Sequence, residues 1–139
     1  MTDPIREYDE RGNVTHFKDS DGYEYWTEYD EKGNEIYYKD SHGYEFWKEY
    51  DEKRNETHYK NVNGCESWTE YDDKGKVTHY KSSDEYEEWR EYDKDGKYKC
   101  ALTYFSDGEI ITKNENLFSD KLRKKHNLLL LRGRRWLNQ

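Results

Sequence analysis

Glu28-Tyr29-Asp30-Glu31-Lys32-Gly33-Asn34 is the stretch on which the fold turns. Its first three residues recur as Glu7-Tyr8-Asp9, Glu49-Tyr50-Asp51, Glu70-Tyr71-Asp72 and Glu91-Tyr92-Asp93, each copy 21 residues after the last. Trp26, Trp47, Trp68 and Trp89 keep the same step. A fixed period of this size signals a repeat architecture in which each unit stacks on its neighbours.

Outward from that stretch, each repeat reads as two strands and two turns. Val14 to Ser20 and Tyr23 to Asp30 are strands, dominated by the Tyr, Trp, Thr and Phe that suit a pleated, half-buried surface. Between them Asp21-Gly22 favours a two-residue hairpin turn. Glu31-Lys32-Gly33 suits a three-residue loop with glycine in the left-handed position. Turn signals every ten or so residues exclude a helical body. The predicted fold class is all-β, an antiparallel β-meander ribbon of about ten strands in about five hairpin repeats, with a short C-terminal helix.

Counting outward from the two turns predicts a row of rings at one level on one face: Phe17, Trp26, Tyr38, Trp47, Tyr59, Trp68, Tyr80 and Trp89. Two glutamate columns flank it, Glu24, Glu45, Glu66 and Glu87 on one side and Glu28, Glu49, Glu70 and Glu91 on the other. The opposite face carries Tyr8, Tyr29, Tyr50, Tyr71 and Tyr92, with Tyr23, Tyr44 and Tyr86 nearer the other turn. A row of rings this long demands a cover: sheet curling, the Leu128 to Leu131 segment, or a second chain.

Apolar residues make up only 31% of the chain, but aromatic residues reach 17%, so the core expected here is built of rings rather than aliphatic side chains. The net charge of −8 is uneven. Lys121, Arg123, Lys124, Lys125, Arg132, Arg134 and Arg135 against Asp120 make the tail about +6, which leaves about −14 on residues 1–118. An acidic body favours a basic protein partner and disfavours direct nucleic-acid binding. The basic tail has the chemistry to dock on its own acidic body, a partner, nucleic acid or an anionic membrane, the first two being favoured.

The repeat decays towards the C-terminus. Arg54 and Glu85 replace turn glycines, and the Asp107-Gly108 turn arrives two residues late. Ser119-Asp120-Lys121-Leu122 reads as a capped helix start and Gly133 as a stop, which predicts a helix over about Ser119–Arg132. The organisation expected is a β-repeat domain, 1–118, and a basic helix or tail, 119–139.

Chemistry finds little support. His16, His58 and His79 share a column, but His58 and His79 would lie about 9.5 Å apart, too far for one metal ion. Asp19-Ser20-Asp21-Gly22 loses its carboxylates copy by copy and reads as a turn. No Ser, Cys or His has a nucleophile context, and no glycine-rich loop leads into a helix. We expect no enzyme activity, metal or cofactor. Cys65 and Cys100 sit at different repeat positions and are not expected to pair. No signal peptide or membrane-length apolar run is visible, so a cytoplasmic setting is expected.

Tyr8-Asp9-Glu10-Arg11-Gly12-Asn13-Val14-Thr15 with Asp19-Ser20-Asp21-Gly22, and Tyr29 to Ile36 with Asp40-Ser41-His42-Gly43-Tyr44, resemble the YD repeat of the rearrangement-hotspot (RHS) family over about residues 7–108. The resemblance implies a coiled β-ribbon. In that family long arrays form a shell around a toxin, whereas about five repeats are too few to enclose a cargo domain. The function expected is a non-enzymatic protein-binding module, an acidic inhibitor of antitoxin, immunity or phage anti-defence type. Its contact residues are the eight flanking glutamates with Tyr29, Tyr50 and Tyr71. The alternatives are a carbohydrate- or ligand-binding ribbon using surface Tyr and Trp, and a self-assembling element that includes a homodimer.

Overall fold

The computed structural model describes residues 2–137, with side chains as far as residue 132. Eleven strands form one open antiparallel sheet in chain order. They are β1 (Ile5–Tyr8), β2 (Val14–Lys18), β3 (Glu24–Tyr29), β4 (Glu35–Asp40), β5 (Glu45–Tyr50), β6 (Glu56–Asn61), β7 (Glu66–Tyr71), β8 (Val77–Ser82), β9 (Glu87–Tyr92), β10 (Tyr98–Tyr104) and β11 (Ile110–Lys113). A 3₁₀ turn, Glu115–Leu117, leads into helix α1 (Asp120–Leu137). The chain divides into two compact units, Met1–Glu66 and Ser67–Gln139.

The turns explain the invariant aspartate. Asp30 Oδ1 accepts the backbone N–H groups of Lys32 and Asn34, both at 2.9 Å. The Asp30 N–H donates to the Asn34 carbonyl and the Gly33 N–H to the Asp30 carbonyl, closing a three-residue loop. Asp19 builds the other turn the same way, accepting from Asp21 and Tyr23 and pairing its own N–H with the Tyr23 carbonyl. Both turns of the repeat therefore span three residues, and the two-residue turn expected at Asp21-Gly22 is corrected. Only the last loop residue takes positive φ, Gly22 at 91° and Gly33 at 84°. Arg54 (φ 70°) and Glu85 (φ 64°) hold the same conformation without being glycine.

The longer loop moves every pairing. Phe17 pairs with Tyr25 and His16 with Trp26. After the second turn Tyr29 pairs with Glu35, but Glu28 pairs with Tyr37, so Ile36 is an extra residue in a β-bulge. That bulge sets Trp26 opposite Lys39 rather than Tyr38. Bulges recur at Glu49/Tyr50 and Glu70/Tyr71. The expected single row is thus split. Phe17, Tyr38, Tyr59 and Tyr80 lie on one face, Trp26, Trp47, Trp68 and Trp89 on the other, as a one-residue slip in a period-two strand requires.

In unit 1 the Tyr face carries a continuous ladder. Ring centroids run Phe17–Tyr25 5.3 Å, Tyr25–Tyr38 5.7 Å, Tyr38–Phe46 5.2 Å and Phe46–Tyr59 5.9 Å. Tyr23 and Tyr38 share a hydrogen bond between their hydroxyls, as do Tyr44 and Tyr59. Among its described residues this unit buries Thr27 and Asn34 but no apolar side chain. Its stability therefore comes from half-buried rings and backbone pairing, each cross-strand ring pair contributing about 0.2–1 kcal/mol.

Unit 2 has the aliphatic core. Cys100, Leu102, Phe118, Leu122 and Leu129 form one buried cluster, against which Trp89, Tyr104 and Ile110 pack. Leu102 pairs with Trp89, so α1 lies on the Trp face. Leu122, His126 and Leu129 are the buried stripe of the helix, at the i, i+4, i+7 spacing. Leu128, Leu130 and Leu131 are exposed and only Leu129 of the leucine run is buried, so the cover over Trp89 comes from a helical stripe that takes one residue from that run. Ser119 caps the helix, its Oγ accepting the Leu122 N–H at 3.2 Å. The helix passes through Gly133 to Leu137, correcting the expected stop, because interior glycine costs only about 1 kcal/mol.

Candidate functional site

The Trp face is the chemically distinctive surface. In unit 1, His16 stacks on Trp26 with ring centroids 5.2 Å apart, and Tyr37 lies against Trp47 at 5.7 Å. Trp26 and Trp47 remain 39% and 41% exposed, as large apolar surface held open to solvent. Trp68, in unit 2, is 40% exposed and pairs with Lys81.

The two glutamate columns are not equivalent. Glu24, Glu45, Glu66 and Glu87 are half-buried and engaged: Glu24 lies 2.7 Å from His16 Nε2, Glu66 2.7 Å from His58 Nε2 and Glu87 2.8 Å from His79 Nε2. Glu45 accepts the Tyr37 hydroxyl at 2.5 Å, and this hydrogen bond, with burial behind it, pushes that phenol up to about 12. Lysines share this level of the sheet, Lys18 opposite Glu24 and Lys39 opposite Glu45. Sequence reasoning missed them because its register placed them elsewhere. Glu28, Glu49 and Glu70 form the more exposed column, although Glu49 lies 3.6 Å from His58 Nδ1 and Glu70 3.2 Å from His79 Nδ1. The Glu49 and Glu70 side chains are both 73% exposed.

The fourth member of that column, Glu91, behaves differently. It accepts the Ser119 N–H at 2.9 Å and the Ser119 hydroxyl, so it holds the start of α1. Burial raises its carboxyl, but the Ser119 hydrogen bonds, joined by the Cys100 thiol and the Lys99 charge, outweigh burial and leave it below the usual range. The Cys100 thiol donates to Glu91 at 3.4 Å, and burial first, then that bond, push the thiol up to about 11. Lys125 Nζ sits 5.2 Å from the centroid of Trp89. Beside this contact a cleft of about 1080 Å³ runs between α1 and the sheet, lined by Glu70, His79, Trp89 and Glu91 on one side and Lys121, Lys124 and Lys125 on the other.

The remaining expected residues fall as follows. Tyr29 and Tyr50 are half-buried on the opposite face, and their hydroxyls donate to the carbonyls of Val14 (3.2 Å) and Glu35 (2.8 Å). Tyr71 is half-buried at the same strand position. Lys121, Arg123, Lys124, Lys125 and Arg132 are exposed along α1, and Arg134 and Arg135 lie outside the residues whose side chains are described. Both cysteines are free, Cys65 exposed and Cys100 buried. Among the described residues no group of His, Cys, Asp and Glu could hold a metal ion, and no helix is long and apolar enough to cross a membrane.

Comparison with known proteins finds a likeness of fold. A chain in the structure of the Photorhabdus luminescens Tc holotoxin pore superposes with a TM-score of 0.57 at 16% identity, over 72% of this chain and 5% of that one. A chain in a TcdB2-TccC3-Cdc42 crystal structure gives a TM-score of 0.45 at 14% identity, over 71% of this chain and 7% of that one. The protein is therefore similar in fold to a small part of a Tc toxin component. No protein-family model matches the chain, and neither does any curated protein.

Proposed function

We propose that the protein is a non-enzymatic, YD-repeat-like binding module that engages a basic protein surface through the Trp face of its first unit. The observation that supports this is the pairing of open indoles with open carboxylates. Trp26 and Trp47 are 39% and 41% exposed, and Glu28 and Glu49, each two residues further on, are exposed beside them. Indole faces attract cations, the carboxylates add opposite charge, and aromatic residues are the usual anchors of protein interfaces. Tyr29, Tyr50 and Tyr71 then hold the repeat together rather than meet the partner. An acidic body that covers a basic surface would act as an inhibitor of a basic or nucleic-acid-handling protein in a cytoplasmic setting.

Affinity capture from a host lysate tests this, with the wild type and the Trp26→Ala/Trp47→Ala double variant compared at low and high salt. The wild type is expected to retain a basic protein at low salt, to lose it at high salt, and to lose it in the double variant. Equal recovery by wild type and variant, or recovery only of acidic proteins, refutes the reading.

A further inference from the structure

A hollow of about 580 Å³ opens in unit 1, lined by Glu28, Ile36, Tyr37, Trp47, Glu49 and Tyr50. Lys48 also borders it, but its Nζ is held 3.3 Å from Glu56 and 5.0 Å from the Phe46 ring centroid. Every one of these residues has its counterpart 42 residues on, two repeats along, in the lining of the unit 2 cleft. Trp47 corresponds to Trp89, Glu49 to Glu91 and Tyr37 to His79. In unit 2 that site faces α1, with Lys125 over the indole and Ser119 on the carboxylate. The chain thus contains an internal example of what this constellation of side chains accepts.

We propose that the unit 1 hollow receives a lysine side chain from a basic helix of a partner protein, as Lys125 lies over Trp89 in unit 2. The cation rests on Trp47, and Glu28 and Glu49 flank it. This deepens the protein-binding reading and rests on it. Charge selects the occupant: the exposed Glu28 and Glu49 outnumber Lys60, which pairs with Trp47, and the Glu49 side chain, 3.6 Å from His58 Nδ1, keeps 73% of its surface open. The helix of a second copy is the poorer occupant, because Leu122 and Leu129 are 4% and 3% exposed in their own unit and would have to leave it. One difference from unit 2 sets the strength. Cys100 and Leu102 seat α1 on apolar surface, whereas the corresponding positions, His58 and Lys60, are polar. The partner helix is therefore held by charge and ring contact rather than by burial, and its binding weakens steeply with salt.

The probe is a peptide with the sequence of residues 119–132, titrated into the ¹⁵N-labelled full chain while the indole N–H signals are followed by NMR. The Trp47 signal is expected to move saturably. Affinity is expected to fall about tenfold in Glu28→Gln/Glu49→Gln, and by a similar factor for a peptide with acetylated lysines, which needs no change to the protein. The proposal is overturned if Trp47 does not move up to millimolar peptide, or if only Trp89 moves because the peptide displaces the chain's own α1. Unchanged affinity for the acetylated peptide also overturns it, and so does a Trp47 shift that follows chain concentration without peptide, which marks a second copy as occupant. If the peptide fails while capture of a basic protein still depends on Trp26 and Trp47, the helix occupant falls and the protein-binding reading stands.

Discussion

Replacing Glu85 with glycine should stabilise the protein, and the size and sign of the effect test the turn geometry that sets the whole register. Glu85 closes the Ser82–Tyr86 turn: its N–H donates to the Ser82 carbonyl, and the Ser82 N–H pairs with the Tyr86 carbonyl. It does so at φ 64°, where equivalent positions hold Gly22, Gly43 and Gly64. A side chain in the left-handed region costs about 1–2 kcal/mol. Glycine removes that cost but loosens the unfolded chain, giving back about 0.4–1 kcal/mol. The net gain is about 0.5–1 kcal/mol, a rise of about 2–5 °C in the thermal midpoint. Gly43→Ala is the mirror experiment. An added Cβ at Gly43 meets nothing within 4 Å, so its loss, of about the same size, is backbone strain alone. Asp84→Gly separates the three-residue loop from a two-residue turn. A two-residue type I′ turn needs positive φ at both central positions, so glycine at 84 would help it. In the observed loop Asp84 accepts the Ser82 hydroxyl at 2.5 Å, so its replacement destabilises. Thermal unfolding followed by near-ultraviolet circular dichroism measures all three. A lower midpoint for Glu85→Gly, or a higher one for Asp84→Gly, refutes the register.

Acid should release α1 from its repeat. Glu91 has a folded-state pKa below its unfolded value, so its contribution is present above about pH 4.5 and lost as pH falls through the lowered folded value. Asp9, Asp30 and Asp51 are also lowered, by hydrogen bonds from Asn13, Asn34 and Asn55, and lose stability in the same direction. The difference in the pH profile of helical dichroism between wild type and Glu91→Gln therefore isolates the helix dock, and identical profiles would sink it. A thiol-reactive disulfide reagent at pH 8 should modify one cysteine rapidly. That cysteine is exposed Cys65, whereas buried Cys100, its thiol pushed up to about 11, reacts only on unfolding. Two fast thiols would show that the Cys100 cluster is not closed.

The sequence made the meander legible because its period repeats a turn, and the turn is carried by side chains that announce themselves. Asp30 and Gly33 fix where a hairpin reverses wherever they occur. The split of the aromatic row was not legible. At Asp19 the Asp-Gly pair at 21 and 22 suggests a two-residue turn, while the deciding contact is the Asp19 carboxylate reaching the Tyr23 N–H, a longer-range choice. At Ile36 the bulge leaves no composition signal at all, because it is imposed by pairing. Each error was one residue, so the two independent counts agreed with each other and both placed rings of opposite faces in one row. The period still kept the four tryptophans together, since equivalent positions in successive repeats share a face whatever the register.

Glu91 shows why the candidate site was only half visible. In sequence it is one of five identical motif glutamates, and its helix-holding role depends on what the repeat offers across the strand. Two changes make that difference. The column of His16, Tyr37, His58 and His79 ends in Cys100, and the column of Lys39, Lys60 and Lys81 ends in Leu102. Those two substitutions replace polar surface with the apolar seat on which Leu122 and Leu129 bury. The sheet itself changes little: Glu91 pairs with Cys100 as Glu49 pairs with His58. A basic helix is thus seated where the flanking column turns apolar. Where the column stays polar, the same indole and carboxylate are exposed, and the contact proposed there is a reversible, salt-dependent one.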